Sequence, residues 1–259
     1  MAIVTVKDKV VIITGAGRGL GQAYAEALAG DGAKVVIAEI NAPNGKAVAK
    51  GIKENGGEAI FVQTDVTDYE QCLNMVETTV QTYGRVDAII NNAAVYYETE
   101  GRPFFMITED EWNRHMEVDV KGTFNCCRAV IPQMMRQGKG HIINIGSTIA
   151  MQGQGLLLDY CTAKGAIIAL TKCLAKEIPI LTEAEITINC VCPGFTYTEA
   201  TVRKFKGTEM AMVLIEALRT IKRKQMPSDV VGIIAFLVSD ASDYHTGGVF
   251  PVDGGTYLH

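Results

Sequence analysis

Two side chains that can exchange a proton, Tyr160 and Lys164, lie four residues apart in a segment with a helical pattern. Residues at this spacing share one face of a helix, so the lysine cation is expected one turn from the phenol. A free tyrosine has a pKa of about 10 and is a poor acid–base group at neutral pH. A nearby cation favours the phenolate and lowers that pKa. The pair is therefore predicted to give or take a proton at a substrate oxygen.

A third polar residue, Ser147, follows the apolar run His141–Ile145 and precedes Tyr160 by thirteen positions. Its hydroxyl can hydrogen-bond the same substrate oxygen as charge develops there. A tyrosine and a lysine at this spacing are common on helix surfaces. The catalytic interpretation therefore depends on Ser147 and on a glycine-rich loop near the N-terminus.

That loop runs from Thr14 to Gly21, directly after the apolar run Val10–Thr14. A strand, a glycine-rich turn and a helix start form a dinucleotide-binding arrangement, because glycines let the backbone approach a pyrophosphate. The helix N-terminus supplies free N–H groups for the same anion. The loop alone is also compatible with a purely structural turn or with the nucleoside of a methyl donor. Its candidate cofactor-binding residues are Gly15, Arg18, Gly19, Leu20 and Gly21.

Glu39 lies about 20 residues beyond the loop, at the end of the second apolar run, and predicts a preference for NAD over NADP. An acidic residue there accepts hydrogen bonds from a ribose 2′-hydroxyl and repels a 2′-phosphate. Arg18 argues in the other direction, since an arginine can reach a phosphate. Glu39 as a solvated charge is the plainer alternative. Asp65 and Val66 are candidates for the adenine edge, with a helix N-cap at Asp65 or Thr67 as the alternative.

Short apolar, β-branched runs alternate with helix-length amphipathic segments along the chain, which predicts a single doubly wound parallel sheet of the α/β class with helices on both faces. Thr196–Met226 interrupts this alternation and is expected to be a substrate-side helical insertion. Residues 1–259 are interpreted as one dinucleotide-binding and catalytic domain. The predicted strands are Val10–Thr14, Lys34–Ala38, Ala59–Val62, Val86–Ile90, His141–Ile145, Ile186–Val191 and Val249–Val252. The predicted helices include Leu20–Ala29, Asp68–Tyr83, Glu109–Arg136, Tyr160–Glu177 and Glu209–Leu218.

The order of these motifs resembles that of the short-chain dehydrogenase/reductase family over essentially the whole chain. The motifs are Thr14–Gly21, Asn91-Asn92-Ala93-Ala94, Ser147, Tyr160 with Lys164, and Pro193-Gly194. The resemblance implies a Rossmann-type sheet of about seven strands and hydride transfer between a nicotinamide and an alcohol or carbonyl carbon.

Carried over by position, the resemblance implies that Tyr160 is the general acid/base and that Ser147 orients the substrate oxygen. Lys164 would lower the pKa of Tyr160 and bind the nicotinamide ribose. Tyr160 and Lys164 therefore also count as cofactor-binding residues. The further cofactor contacts implied by the resemblance are Asn92, Ala93, Pro193, Gly194, Thr196 and Thr198.

Two positions depart from the family pattern. Asp119 stands where the family usually has Asn, whose backbone carbonyl holds a water in a proton relay to the lysine. A backbone role survives this exchange, so Asp119 is kept in the catalytic set, although its carboxylate adds charge near Lys164. Ala94 stands where the family usually has Gly, and its methyl group is small.

The substrate pocket is predicted to be mostly apolar, which suits a cyclic, aromatic or otherwise hydrophobic secondary alcohol or ketone. Gln152 and Gln154 could instead bind a polyol hydroxyl. The alternative is that these residues only pack the loops that carry them. The candidates are Tyr96, Tyr97, Met151, Gln154, Leu158 and Phe195.

Composition narrows the function classes. The chain has 24 Lys+Arg against 29 Asp+Glu, a formal net charge of -5, which disfavours nucleic acid as a partner. No apolar run reaches the length of about 20 residues that spans a membrane. The seven cysteines are scattered and unmatched by histidines, which predicts reduced thiols in a cytoplasmic protein and no metal site.

The sequence therefore predicts an NAD-dependent oxidoreductase acting on a small-molecule secondary alcohol or ketone. The alternatives are an NADPH-dependent reductase of the 3-oxoacyl type and a catalytically silent dinucleotide-binding protein. The family resemblance further implies a homotetramer assembled through the helices Glu109–Arg136 and Tyr160–Glu177.

Overall fold

A computed structural model describes residues 4–96, 99, 101–204 and 209–258. Its centre is a seven-stranded, wholly parallel sheet with the strand order β3-β2-β1-β4-β5-β6-β7. The strands are β1 Val10–Thr14, β2 Lys34–Glu39, β3 Glu58–Gln63, β4 Ala88–Asn91, β5 Lys139–Ile145, β6 Glu185–Pro193 and β7 Val249–Val252. The predicted fold class is confirmed.

Ten α-helices connect the strands or lie in the loops between them, within the described ranges. They are α1 Gly19–Gly30, α2 Ala42–Glu54, α3 Tyr69–Tyr83, α4 Glu109–His115, α5 Gly122–Gln137, α6 Ile149–Gln152, α7 Leu158–Leu181, α8 Glu199–Lys204, α9 Glu209–Leu218 and α10 Ser228–Val238. No helix in these ranges is both long enough and apolar enough to cross a membrane.

Both faces of the sheet are buried, because successive residues of a strand point to opposite sides. In β1, Val11 and Ile13 belong to one apolar cluster and Ile12 to the other. All three side chains are fully buried. This two-sided burial explains why the strands read as continuous apolar runs.

The structure places the N-cap after β3 at a different residue from the two expected. Asp68 caps α3 by accepting hydrogen bonds from the backbone N–H groups of Glu70 and Gln71. Asp65 instead accepts from the backbone and hydroxyl of Thr67, at 2.9 and 2.8 Å. The prediction of an N-cap at Asp65 or Thr67 is therefore wrong, since both residues form the turn before the cap.

The predicted single helix Glu109–Arg136 is divided in the structure. A π-helical segment, Met116–Lys121, lies between α4 and α5. Such segments widen the helix by an extra residue per turn and occur frequently at functional sites. Here the widened turn carries Asp119, which is fully buried.

The insertion after β6 contains two helices. α9 has the predicted bounds, whereas α8 was not predicted. Two reciprocal hydrogen bonds join Thr198, just before α8, to Thr201 in its first turn. The backbone N–H of Thr198 donates to the Thr201 hydroxyl, and the backbone N–H of Thr201 donates to the Thr198 hydroxyl. This pairing stabilises a helix start in a segment too short to show a clear apolar period.

Candidate active site

The candidate site lies at the carboxyl edge of the sheet. β1 is hydrogen-bonded to β2 on one side and to β4 on the other, so the strand order reverses direction there. In open α/β sheets, ligands bind in the crevice outside the carboxyl ends of the strands at such a reversal. The glycine-rich loop follows β1, and Ser147 follows β5 at the same edge.

The glycine-rich loop has the backbone geometry that its sequence predicts. Gly15 and Gly19 have φ angles of +63° and +60°, a region that favours glycine. A Cβ at Gly21 would collide with the carbonyl oxygen of Gly15 and the side chain of Asn92. α1 begins at Gly19 without a side-chain cap among the described residues. Its first N–H groups, near Leu20, are therefore suited to an anion such as a pyrophosphate.

Residues at the end of β4 hold this loop in place. The Asn92 amide donates to the carbonyl oxygens of Thr14 and Gly15 at 2.9 and 3.1 Å. The backbone N–H groups of Asn92 and Ala93 both donate to the Thr14 hydroxyl at 3.0 Å. The side chain of Asn92 thus holds the start of the loop against the end of β4.

Glu39 lies beside the loop, at the end of β2. Its carboxylate accepts hydrogen bonds from the backbone N–H groups of Gly17 and Asn41, each at 2.9 Å. A Cβ on Gly17 would lie 2.8 Å from the same carboxylate. The carboxylate is therefore fixed next to the loop.

The adenine-side candidates lie at the end of β3. One oxygen of the Asp65 carboxylate is used by Thr67, as described above. The Val66 carbonyl accepts a hydrogen bond from the Asn125 amide at 2.9 Å. These contacts tie the turn to α5.

Tyr160 and Lys164 lie one turn apart on α7, and both are buried. The Lys164 Nζ is 5.9 Å from the centre of the Tyr160 ring. Burial raises the pKa of Tyr160 above its ordinary value, and the Asp119 carboxylate raises it further. A side-chain hydrogen bond with Ser147 acts in the opposite direction. The net direction is therefore set by burial, which outweighs the contribution of Ser147.

Lys164 has two partners of its own. Its Nζ donates to the carbonyl oxygen of Ile145 at 3.1 Å and lies 3.4 Å from Oδ2 of Asp119. The other carboxylate oxygen of Asp119 accepts from the backbone N–H of Val95 at 2.8 Å. The lysine cation is therefore compensated by a buried carboxylate.

The backbone carbonyl of Asp119, where the family resemblance implies a bound water, has a protein partner. The carbonyl oxygen of Asp119 accepts a hydrogen bond from the Thr123 hydroxyl at 2.7 Å. The side chain of Asp119, and not its backbone, contacts Lys164.

Two buried residues near Tyr160 were not identified from the sequence. The ring of His115 lies edge-on to the Tyr160 ring, with 5.9 Å between centres, and its Nε2 is 3.5 Å from Oδ2 of Asp159. The other oxygen of Asp159 accepts from the backbone N–H of Tyr160 at 2.9 Å. The available signal was spacing, because His115 precedes Asp119 by one helical turn.

The motif Pro193-Gly194 lies at the end of β6, next to the segment of Ser147 and Thr148. The backbone N–H of Thr148 donates to the Pro193 carbonyl at 3.2 Å, which joins the two segments. The Thr196 hydroxyl donates to the Gly194 carbonyl. The Thr198 methyl lies 3.8 Å from a Cβ built on Gly19. Thr198 therefore borders the glycine-rich loop.

The predicted pocket residues are only partly brought together. The Tyr96 ring lies 5.5 Å from the Tyr160 ring, and Phe195 packs edge-on against Tyr197. Met151 packs against the small core cluster of Ile167, Cys190 and Cys192, while Gln154 and Leu158 are exposed. Met151 is thus partly covered by the core, whereas Gln154 and Leu158 face solvent. Tyr97 lies outside the described residues.

A different cluster holds the candidate metal-ligating groups found in the described part of the chain, namely His141, Asp240 and Asp243. It lies at the opposite end of β5 from Ser147. Lys139 contacts both carboxylates at 2.7 Å, and Lys9 contacts Asp240 at the same distance. Two ammonium groups therefore already compensate the charge that would attract a metal. The seven cysteines are all free thiols.

Comparison with known proteins agrees with the class that this fold and site define. A model of the short chain dehydrogenase family matches residues 9–209. The chain belongs to the short-chain dehydrogenase/reductase family, whose members here include oxidoreductases.

Two relatives and one solved structure illustrate the similarity. A Mycobacterium tuberculosis protein named as an uncharacterized oxidoreductase is 40% identical over 251 residues, 97% of this chain and 98% of its own. The 3-oxoacyl-[acyl-carrier-protein] reductase FabG of Thermotoga maritima is 35% identical, with 97% and 99% covered. A 3-oxoacyl-[acyl-carrier protein] reductase of Brucella melitensis with bound NAD is 28% identical, with a TM-score of 0.87 and coverage of 98% and 92%.

Proposed function

We propose that the protein is an NAD-dependent oxidoreductase that interconverts a secondary alcohol and the matching ketone. The observation that carries this proposal is the meeting of Ser147, Tyr160 and Lys164 at the carboxyl edge of the sheet. This edge also holds the glycine-rich loop, so a bound nicotinamide and the phenol would share one crevice.

In the oxidation direction, the Tyr160 phenolate takes the hydroxyl proton of the alcohol. The Ser147 hydroxyl donates a hydrogen bond to the same oxygen and stabilises its developing charge. Lys164 has its Nζ 5.9 Å from the centre of the phenol ring and is held by Ile145 and Asp119. When bound, the nicotinamide supplies the acceptor for the hydride that leaves the alcohol carbon.

NAD is the proposed cofactor because of Glu39. Its carboxylate, fixed by two backbone N–H groups, would lie close to a 2′-phosphate and repel it. The wild type is expected to bind NAD at least about tenfold more tightly than NADP, or about 1.4 kcal/mol. Glu39→Gln keeps the size of the side chain and should narrow this ratio. Equal affinity of the wild type for both cofactors would refute the role of Glu39.

A hydrophobic cyclic or aromatic substrate is supported by Tyr96, which packs on Tyr160, and by Phe195 beside the Pro193-Gly194 motif. The test is a panel of alcohols and ketones, from aromatic and alicyclic compounds to steroids and polyols, followed at the nicotinamide absorbance. Ser147→Ala should reduce turnover of any active compound by about 10²–10³-fold. A wild type inactive on the whole panel would contradict the proposed substrate class.

The alternative is a 3-oxoacyl reductase, which the FabG of Thermotoga maritima favours by its 35% identity over nearly the whole chain. The Brucella melitensis structure combines such a reductase with NAD, so cofactor preference alone does not separate the two functions. A 3-oxoacyl thioester belongs in the same panel. Reduction of this thioester in preference to simple ketones would favour the alternative.

We further propose that the chain acts as one unit in a cytoplasmic homotetramer. The sheet takes its strands from residues 10 to 252, and all seven cysteines are thiols. On α5 and α7, the observed helices that overlap the two segments proposed for assembly, the side chains of Phe124, Ile180 and Leu181 are exposed. Cys126, Cys127 and Val130 are already buried in the subunit's own core and are unsuited to an interface. Light scattering of the purified protein tests the tetramer.

A further inference from the structure

Asp119 makes three contacts that connect separate elements of the site. Its carboxylate accepts from the backbone of Val95 after β4 and faces Lys164 on α7 at 3.4 Å. Its backbone carbonyl accepts from Thr123 on α5. The residue is fully buried, and Lys164 is nearly so. An ion pair in such a place is little screened by water or salt.

The carboxylate oxygen that faces Lys164 has no hydrogen bond in the described structure. Its interaction with the lysine is therefore an ion pair at 3.4 Å without hydrogen-bond geometry. A carboxylate buried in this way would be costly without a cation nearby. Lys164 is that cation, so each charge depends on the other.

We propose that Asp119 is a positioning residue that holds Lys164 through its carboxylate and thereby moves the proton transfer of Tyr160 to higher pH. The proposal rests on the function proposed above for Tyr160 and Lys164. Lys164 shares its charge with Asp119 and so favours the Tyr160 phenolate less. An asparagine at position 119 would leave the lysine charge uncompensated and available to the phenolate.

Other groups face Tyr160 and must be separated from Asp119 in any test. From α7 these are Lys164, Cys161 and Asp159; from α4, His115; from the segment after β4, Tyr96; and from β6, Cys192. Asp159 is the useful comparison. It is a buried carboxylate, like Asp119, but its contacts are His115 and the backbone N–H of Tyr160.

The test compares Asp119→Asn with Asp159→Asn in the full-length protein. Each exchange removes one buried negative charge and keeps the shape of the side chain. In Asp119→Asn, the acidic limb of the pH profile of kcat/KM for alcohol oxidation should move down by about one pH unit. This equals an approximately tenfold gain on that limb. In Asp159→Asn the midpoint should stay at the wild-type pH.

A second readout does not depend on knowing the substrate. The phenolate absorbance of NAD-saturated protein is titrated for the wild type, for both variants and for Tyr160→Phe, which identifies the signal of Tyr160. The phenolate should form at lower pH in Asp119→Asn alone. The proposal is overturned if Asp119→Asn and wild type titrate together, or if Asp159→Asn shifts equally. If the wild type is inactive but the phenolate still forms at lower pH in Asp119→Asn, the result counts against the proposed reaction and not against the role of Asp119.

Discussion

Two aspartate–lysine clusters lie at opposite ends of β5, and they differ in contact distance and in burial. At the amino end, Lys139 and Lys9 contact Asp240 at 2.7 Å, yet the Asp240 side chain is 57% exposed. At the carboxyl end, Lys164 and Asp119 are 3.4 Å apart, and both are buried. The shorter contacts of Asp240 are therefore open to solvent, and the longer contact between Lys164 and Asp119 is inside the protein.

The surroundings of these charges decide their consequence more than the distance between them does. Exposed ion pairs contribute about 0–1 kcal/mol because water and salt screen them. A buried charge that loses its partner costs several kcal/mol, and it also changes the protonation of its neighbours. The amino-end cluster is thus expected to affect stability slightly, and the carboxyl-end pair to affect both stability and chemistry.

The largest expected effect comes from removing one lysine at each end. Lys164→Met leaves the buried Asp119 carboxylate without its cation and should lower the free energy of unfolding by about 3–5 kcal/mol. Lys139→Met should lower it by less than about 1 kcal/mol. Urea unfolding at pH 8 measures both values. Equal losses of unfolding free energy in the two variants would contradict the expected difference between the two ends of β5.

The double variant Asp119→Asn with Lys164→Met sharpens the same point. Because it removes both buried charges, it should recover about 2 kcal/mol or more of the stability that Lys164→Met loses. The measurement is a double-mutant cycle of unfolding free energies. Additive losses would mean that the two side chains do not depend on each other.

Salt should separate the two ends further. The Debye length falls to about 3 Å at 1 M ionic strength, so the small loss in Lys139→Met should vanish in concentrated NaCl. The loss in Lys164→Met should persist, since salt does not reach the buried pair. Unfolding curves at low and high NaCl provide this check, and a buried pair that responds to salt like the exposed one would contradict it.

The smallest effect concerns acid. Hydrogen bonds from Lys139 and Lys9 lower the pKa of Asp240 from 3.8 to about 2. Because the pKa is lower in the folded state, the stabilisation is present above pH 3.8 and is lost as pH falls through about 2. Asp240→Asn should therefore be slightly less stable than wild type at pH 7. Thermal unfolding between pH 7 and 2 should show the difference disappearing in the acidic range.

The fold was predictable from the sequence because strand burial leaves a local signal. Val10–Thr14 and Val249–Val252 are apolar runs whose bounds match the observed strands. The division of the long helix before β5 was not predicted. A π-helical turn such as Met116–Lys121 depends on how the turn packs and not on an apolar period.

The site could be predicted as far as sequence spacing reaches. Tyr160 and Lys164 share a helix face, so their proximity follows from local geometry. The family resemblance implies that the Asp119 carboxylate lies near Lys164, but the direct contact at 3.4 Å joins two helices that are distant in sequence, and only the folded chain shows it. The same is true of His115 and Asp159, whose contact depends on how α4 packs on α7.

The most direct test of the account is the turnover of Tyr160→Phe beside Asp240→Asn, with NAD and an active alcohol from the panel. Tyr160→Phe keeps the ring and removes the acid–base group, so activity should fall by at least about 10²–10⁴-fold while NAD still binds. Asp240→Asn should keep wild-type turnover, because its cluster is at the other end of β5. A Tyr160→Phe variant that retains more than about a few per cent of wild-type activity would contradict the account.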